Sequence, residues 1–197
     1  MHKKVMRRQK GFTLVEIAIV LVIIGLILGA ILKGQELIKN AKVKRIKSDV
    51  DAIVAAVYSY QDKYNGYLPG DNPSGTGSGI CNCGAAGGAC GDGLWNTATE
   101  YVCAWRELIG GNFISGNPWF TDESTVAKRH PFGGRYLFRY GTHNGKNGNY
   151  IYIDNVPYDV ARTLDEKYDD GIWNSGDIQA SGNYSTAGNR DMYWYAF

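Results

Sequence analysis

Glu16 is the one charged residue in the apolar run 12–32. That run has the length of a membrane span, since about 20 helical residues cross a hydrocarbon core of roughly 30 Å. A carboxylate at mid-depth in that layer costs about 2.5–3.5 kcal/mol, and such groups usually work with a partner. Near the end of the run, interfacial water and snorkelling reduce the penalty, so a tolerated interfacial charge is one reading. The sharper reading requires a cation at the same depth as Glu16.

Two further sets have the types and spacing for chemistry. Cys81, Cys83, Cys90 and Cys103 all fall late in the chain. In an exported domain four cysteines form two disulfides, in any of three connectivities, with the neighbouring Cys81 and Cys83 taking different partners. A zinc site, C-x-C-x6-C-x12-C, is the rival and lacks a CxxC knuckle; free thiols are the third reading. The stretch 168–177, YDDGIWNSGD, offers Asp169, Asp170 and Asp177 as calcium ligands. Its spacing departs from the EF-hand, and an Asx-rich turn with solvated acids is the alternative. His2, His130 and His143 are scattered, and no Ser-His-Asp, paired-acid or phosphate-loop arrangement stands out. The chain is therefore expected not to be an enzyme and to require no cofactor, with calcium the one candidate ion.

The elements that must position these residues follow from pattern. Lys3, Lys4, Arg7, Arg8 and Lys10 make a basic head without an acid. Without that head acids outnumber bases, which argues against a general nucleic-acid binder. The apolar run exceeds the 7–15 or so residues of a secretory signal core. Both its flanks are basic, so the positive-inside rule does not orient it. Beyond it Ile46, Val50, Ile53, Val57, Tyr60 and Tyr64 step by threes and fours, a single helical stripe. With no proline over 12–64 and Gly66 as a stop, one long helix is expected, greasy all round in its first half and one-sided in its second. Segments 135–140, 150–153, 177–180 and 192–197 read as strands, 99–109 and 157–167 as short helices, and 141–149 as a turn. The expected class is α+β: a basic head 1–11, an apolar helix half 12–32, an amphipathic half 33–65, and a globular domain 66–197 with a glycine-rich cysteine loop and a small antiparallel sheet.

The basic leader, then Gly11-Phe12-Thr13-Leu14-Val15-Glu16, then the unbroken apolar helix resembles the N-terminus of type IV pilins and type II secretion pseudopilins. The resemblance implies cleavage by a prepilin peptidase between Gly11 and Phe12, with N-methylation of Phe12. It gives Glu16 its cation, because the cut leaves an α-amine on Phe12. In a staggered filament the amine of one subunit can sit beside the carboxylate of another, an attraction that a low-dielectric layer strengthens. The implied partners are the chain's own copies, minor subunits, the peptidase, and an inner-membrane platform with its ATPase. The implied location is the inner membrane as a single-pass precursor with an extracytoplasmic domain, then a periplasmic or extracellular filament. Some pseudopilins bind calcium in a late loop, which favours the ion at 168–177. Many type IV pilins carry a proline about twenty residues into the mature helix; here Gly25, Gly29 and Gly34 are the soft points instead.

The competing function is a single-pass anchored protein whose exported domain binds a ligand or sugar and never polymerises. It would keep its leader and tolerate leucine at position 16. Among filament roles, DNA uptake would rest on Arg129, Arg135 and Arg139, a thin basic set. The retained Glu16 argues against a tip-type minor subunit.

Overall fold

We describe the chain from a computed structural model over residues 11–73, 77–79, 81 and 90–197. Residues 1–10 of the basic head, and Cys83 with most of the glycine-rich loop, lie outside the described residues.

The apolar run and the amphipathic stripe form one helix, α1 (Leu14–Lys63). It continues through Gly25, Gly29 and Gly34, where an added Cβ would meet nothing within 4 Å. It stops at Asn65 (φ 57°) and Gly66 (φ 85°), both left-handed. The Gly66 N–H donates to Gln61 O at 2.7 Å, reaching back five residues as helix-ending glycines do.

Contacts divide the chain into two units, Met1–Ala41 and Lys42–Phe197. In the first, the apolar side chains of α1 are exposed on every side. Among the described residues α1 is the one helix long and apolar enough to cross a membrane. In the second, Val43, Ile46, Val50, Ile53, Val57 and Tyr60 are buried, and Tyr64 is partly so. Each aliphatic side chain so buried contributes about 1.5–3 kcal/mol, as an upper estimate. Burial begins at Val43, ten residues past the point where the sequence turns one-sided.

The second unit packs this stripe against a four-stranded sheet: β1 (Tyr136–His143), β2 (Lys146–Pro157), β3 (Ile178–Ala180) and β4 (Asn189–Trp194). The order is β1-β2-β4-β3, antiparallel throughout. Helices α2 (Ala98–Gly110), α3 (Glu123–Val126) and α4 (Tyr158–Tyr168) complete it. The architecture is α+β, a long N-terminal helix with a small antiparallel sheet, as the pilin-like pattern implies.

The expected turn over 141–149 is a correction. His143 pairs with Lys146, so β1 and β2 run on to a two-residue turn, Asn144-Gly145. Both turn residues have positive φ, 46° and 84°. Asn-Gly is the pair that accepts this mirror-image turn, whose twist matches the strands. Glycines 141 and 148 sit opposite each other inside the ladder.

On the core side of the sheet Phe138 meets Trp95 and Trp105 at ring distances of 4.6 and 5.0 Å. Where the chain leaves α1, buried acids tie it to α2 and to the cysteine loop. Asp71 accepts from Gly91 N–H and Gly93 N–H, each at 2.8 Å. Glu107 on α2 accepts from Gly70 N–H at 3.0 Å and from the Tyr60 hydroxyl. Gly70 has φ 83°, and a Cβ there would meet the α2 backbone at 2.5 Å, so that approach requires glycine. Cys81 is bonded to Cys103 of α2 across 22 residues, with Cα atoms 5.6 Å apart. A closed loop of that length stabilises by about 3 kcal/mol in the chain-entropy account. Cys90 is also disulfide-bonded.

Candidate functional site

Residues 11–13 precede α1 without helical structure, and Gly11 and Phe12 are exposed. A Cβ at Gly11 would meet nothing within 4 Å, and its φ is not left-handed. Nothing described in the chain itself requires glycine at that position.

Thr13 stands just before the first helical residue, and Glu16 is the third residue of α1. The Thr13 N–H and hydroxyl donate to Glu16 Oε2 at 2.8 and 2.9 Å. The Glu16 N–H donates back to Thr13 Oγ1 at 3.2 Å. This is a reciprocal capping box, which satisfies helix N–H groups that otherwise lack acceptors. Helix α2 starts with the same device, Thr97 and Glu100. The carboxylate in the apolar run thus has a partner within its own chain, and it lies where the helix dipole favours negative charge. The signal for this was legible as Thr-x-x-Glu, and the sequence reading passed over it.

The acidic stretch after α4 forms a second cluster. Carboxylate oxygens of Asp165, Asp169 and Asp170 lie within 4.8 Å of one another. Asp177 is not in that group; it pairs with Lys146. Asp165, which the sequence reading did not single out, belongs because it sits one helical turn before Asp169. Each carboxylate also accepts protein hydrogen bonds. Asp165 takes the Tyr184 hydroxyl at 2.7 Å and Gly171 N–H at 3.0 Å; Asp169 takes Ile178 N–H at 2.6 Å. Asp170 takes the Ser175 hydroxyl at 2.6 Å and Ile172 N–H at 2.8 Å. Burial pushes Asp165 above the usual carboxylate range, while the Ser175 hydroxyl holds Asp170 below it. The all-oxygen donor set has the chemistry of a hard cation site, and it is also complete as a hydrogen-bonded turn.

The remaining candidates have structural partners. His130 Nδ1 accepts from Phe132 N–H at 3.2 Å, so Nε2 donates to Asp154 O at 2.7 Å. His143 stacks on Tyr193 with ring centroids 3.5 Å apart and hydrogen-bonds the Tyr150 hydroxyl. Arg135 pairs with Asp154, Arg139 with Glu123, and Arg129 donates to Gly133 O. Trp194 points to the core side of the sheet, opposite in register parity to Tyr193 and Tyr195.

Compared with known protein families, residues 6–32 match the prokaryotic N-terminal methylation motif. This is the prepilin motif of type IV pilins and pseudopilins, and with the apolar α1 it marks a membrane-anchored precursor. Proteins with this motif are structural subunits processed by prepilin peptidase and assembled with other pilins. No curated protein and no solved structure matches the chain.

Proposed function

We propose that this chain, with its prepilin motif, is a non-enzymatic structural subunit of a type IV pilus or type II secretion pseudopilus. The observation that carries the proposal is the placement of Glu16: it heads an uncovered apolar helix, three residues after an exposed, non-helical Gly11–Phe12–Thr13 segment. An exposed, non-helical peptide bond is the form a peptidase can engage. Since the chain's own packing makes no demand for glycine at 11, the demand comes from the enzyme that cuts there. Cleavage between Gly11 and Phe12 frees the Phe12 α-amine, which is then methylated. The amine of an incoming subunit approaches Glu16 of a neighbour, four residues from that neighbour's own new terminus. Both Thr13 donors sit on Oε2, so the amine is received at Oε1 while the cap is kept, and the low-dielectric layer strengthens the pairing. The globular domain stands outside the cytoplasm, and the inner-membrane platform with its ATPase drives addition.

The test is mass spectrometry of the N-terminal peptide of protein purified from its own membranes. A start at Phe12 with one added methyl group supports the pathway. An intact Met1, or a cut elsewhere, transfers the reading to an anchored ligand- or sugar-binding protein that does not polymerise.

Calcium at Asp165, Asp169 and Asp170 is a separate proposal, supported by their converging oxygens. Calorimetric titration of the full chain with calcium should give one site per chain, lost in Asp169→Asn. The absence of heat, or an unchanged isotherm in the variant, reduces the cluster to a hydrogen-bonded turn.

A further inference from the structure

The segment from Lys128 to Tyr136 clasps the first core turns of α1, and His130 stands inside it. Both ends of the segment hold Asp49: Lys128 Nζ is 2.9 Å from Asp49 Oδ1, and the Tyr136 hydroxyl donates to Oδ2 at 3.1 Å. Its tip meets Lys42, whose ammonium lies 5.1 Å from the centre of the Phe132 ring. Between them the chain folds back on itself. The His130 N–H donates to Gly134 O at 2.9 Å, and the Gly133 N–H donates to His130 O at 3.0 Å.

The His130 side chain is buried and both its ring nitrogens are engaged. Nδ1 accepts from Phe132 N–H at 3.2 Å, so Nε2 carries the proton and donates to Asp154 O at 2.7 Å. Gly134 packs so closely on the ring that a Cβ there would overlap Nε2 and Asp154 O. A second proton has one place to go, Nδ1, where a backbone N–H already points. Taking it sets two donors face to face and breaks the Phe132 bond.

We infer that residues 128–136 are an acid-released latch: protonation of His130 at Nδ1 frees Phe132 and the turn around it, and so loosens the start of β1 from α1. The surrounding charges do not offset this. Asp154 on β2 is paired with Arg135, and Asp49 on α1 with Lys128 and Arg45. Lys42 and Arg129 add two further cations at the turn. Burial pushes His130 below its ordinary range, against the pull of Asp154 and Asp49 towards the charged ring. A histidine lowered in the folded state contributes stability that is present above its unfolded value, about 6.5, and is lost as pH falls below it. The latch is therefore closed at neutral pH and opens in acid. It acts within one chain, whether or not that chain polymerises.

The test follows amide exchange in the full ¹⁵N-labelled chain in dodecylphosphocholine micelles at pH 7.5 and 5.0, corrected for the pH dependence of intrinsic exchange. Phe132 N–H should lose protection by up to about thirtyfold, tenfold for each pH unit below 6.5. Ala180 N–H, bonded to Trp173 O at the opposite edge of the sheet, should keep its protection. In His130→Gln, which takes no proton, the loss should vanish; His143→Phe should retain it. Ring ¹⁵N shifts of the wild type read Nδ1 directly and decide the matter even where His130→Gln does not fold. The inference is overturned if Nδ1 takes a proton while Phe132 N–H stays protected, or if Nδ1 is still unprotonated at pH 5.0. It is equally overturned if Phe132 and Ala180 lose protection together, or if His130→Gln keeps the loss.

Discussion

Glu16 and Thr13 separate two roles that one side chain holds. Within a single chain the carboxylate caps α1; in the proposed filament it receives an amine from another subunit. Glu16→Leu should leave membrane insertion and Gly11–Phe12 cleavage intact while lowering the share of subunits recovered in sheared filaments. Co-assembly with wild-type subunits at normal yield would sink the electrostatic account. Thr13→Ala removes the cap hydroxyl and leaves the carboxylate. Loss of such a cap costs about 1 kcal/mol, so the Glu16 amide should exchange about fivefold faster in micelles. Filament incorporation of Thr13→Ala should stay near wild type; a loss matching that of Glu16→Leu would mean the cap itself organises assembly. The cap was written in the sequence as Thr-x-x-Glu, but the surrounding hydropathy directs the eye to the membrane rather than to the helix start.

At the scale of elements, the junction of α1, the cysteine loop and α2 rests on acids taken out of water. Burial raises Glu107 and Asp71 above the usual carboxylate range. A carboxyl raised in the folded state stabilises the fold fully below its unfolded pKa, and that contribution is lost as pH climbs through the raised value. For Glu107 the loss therefore begins near its ordinary value of 4.5 and continues upward. Glu107→Gln keeps an acceptor for Gly70 N–H and the Tyr60 hydroxyl and cannot ionise. Its thermal midpoint should fall less than that of the wild type between acid and neutral pH. Parallel curves would show that Glu107 does not titrate in this window. The helices and strands themselves were legible from period and composition, α3 and the long β1–β2 hairpin excepted. The hairpin was missed because Gly141, Asn147 and Gly148 read as turn residues, whereas cross-strand pairing keeps them in the ladder.

At the scale of the whole molecule, the described core of the second unit starts at Val43. The apolar side chains of the first unit are left for lipid or for other helices to cover, far more exposed apolar surface than soluble monomers carry. A chain lacking residues 1–32 should therefore stay soluble without detergent and keep its thermal midpoint within about 2 °C of the full chain in micelles. A drop of many degrees would show that the apolar half helps hold the globular unit together.

What the sequence by itself determined is what depends on near neighbours: the Gly11–Glu16 motif, the apolar run, the helical stripe and the glycine stop. Each is a repeat or a spacing of a few residues, and helix geometry turns such spacing directly into a face or an end. The tertiary structure alone decided the rest. It chose Cys103 for Cys81, put Asp165 rather than Asp177 beside Asp169 and Asp170, and set the strand order β1-β2-β4-β3. These depend on contacts that the fold brings together from distant parts of the chain. Their free energies come from burial and pairing, which no local pattern encodes.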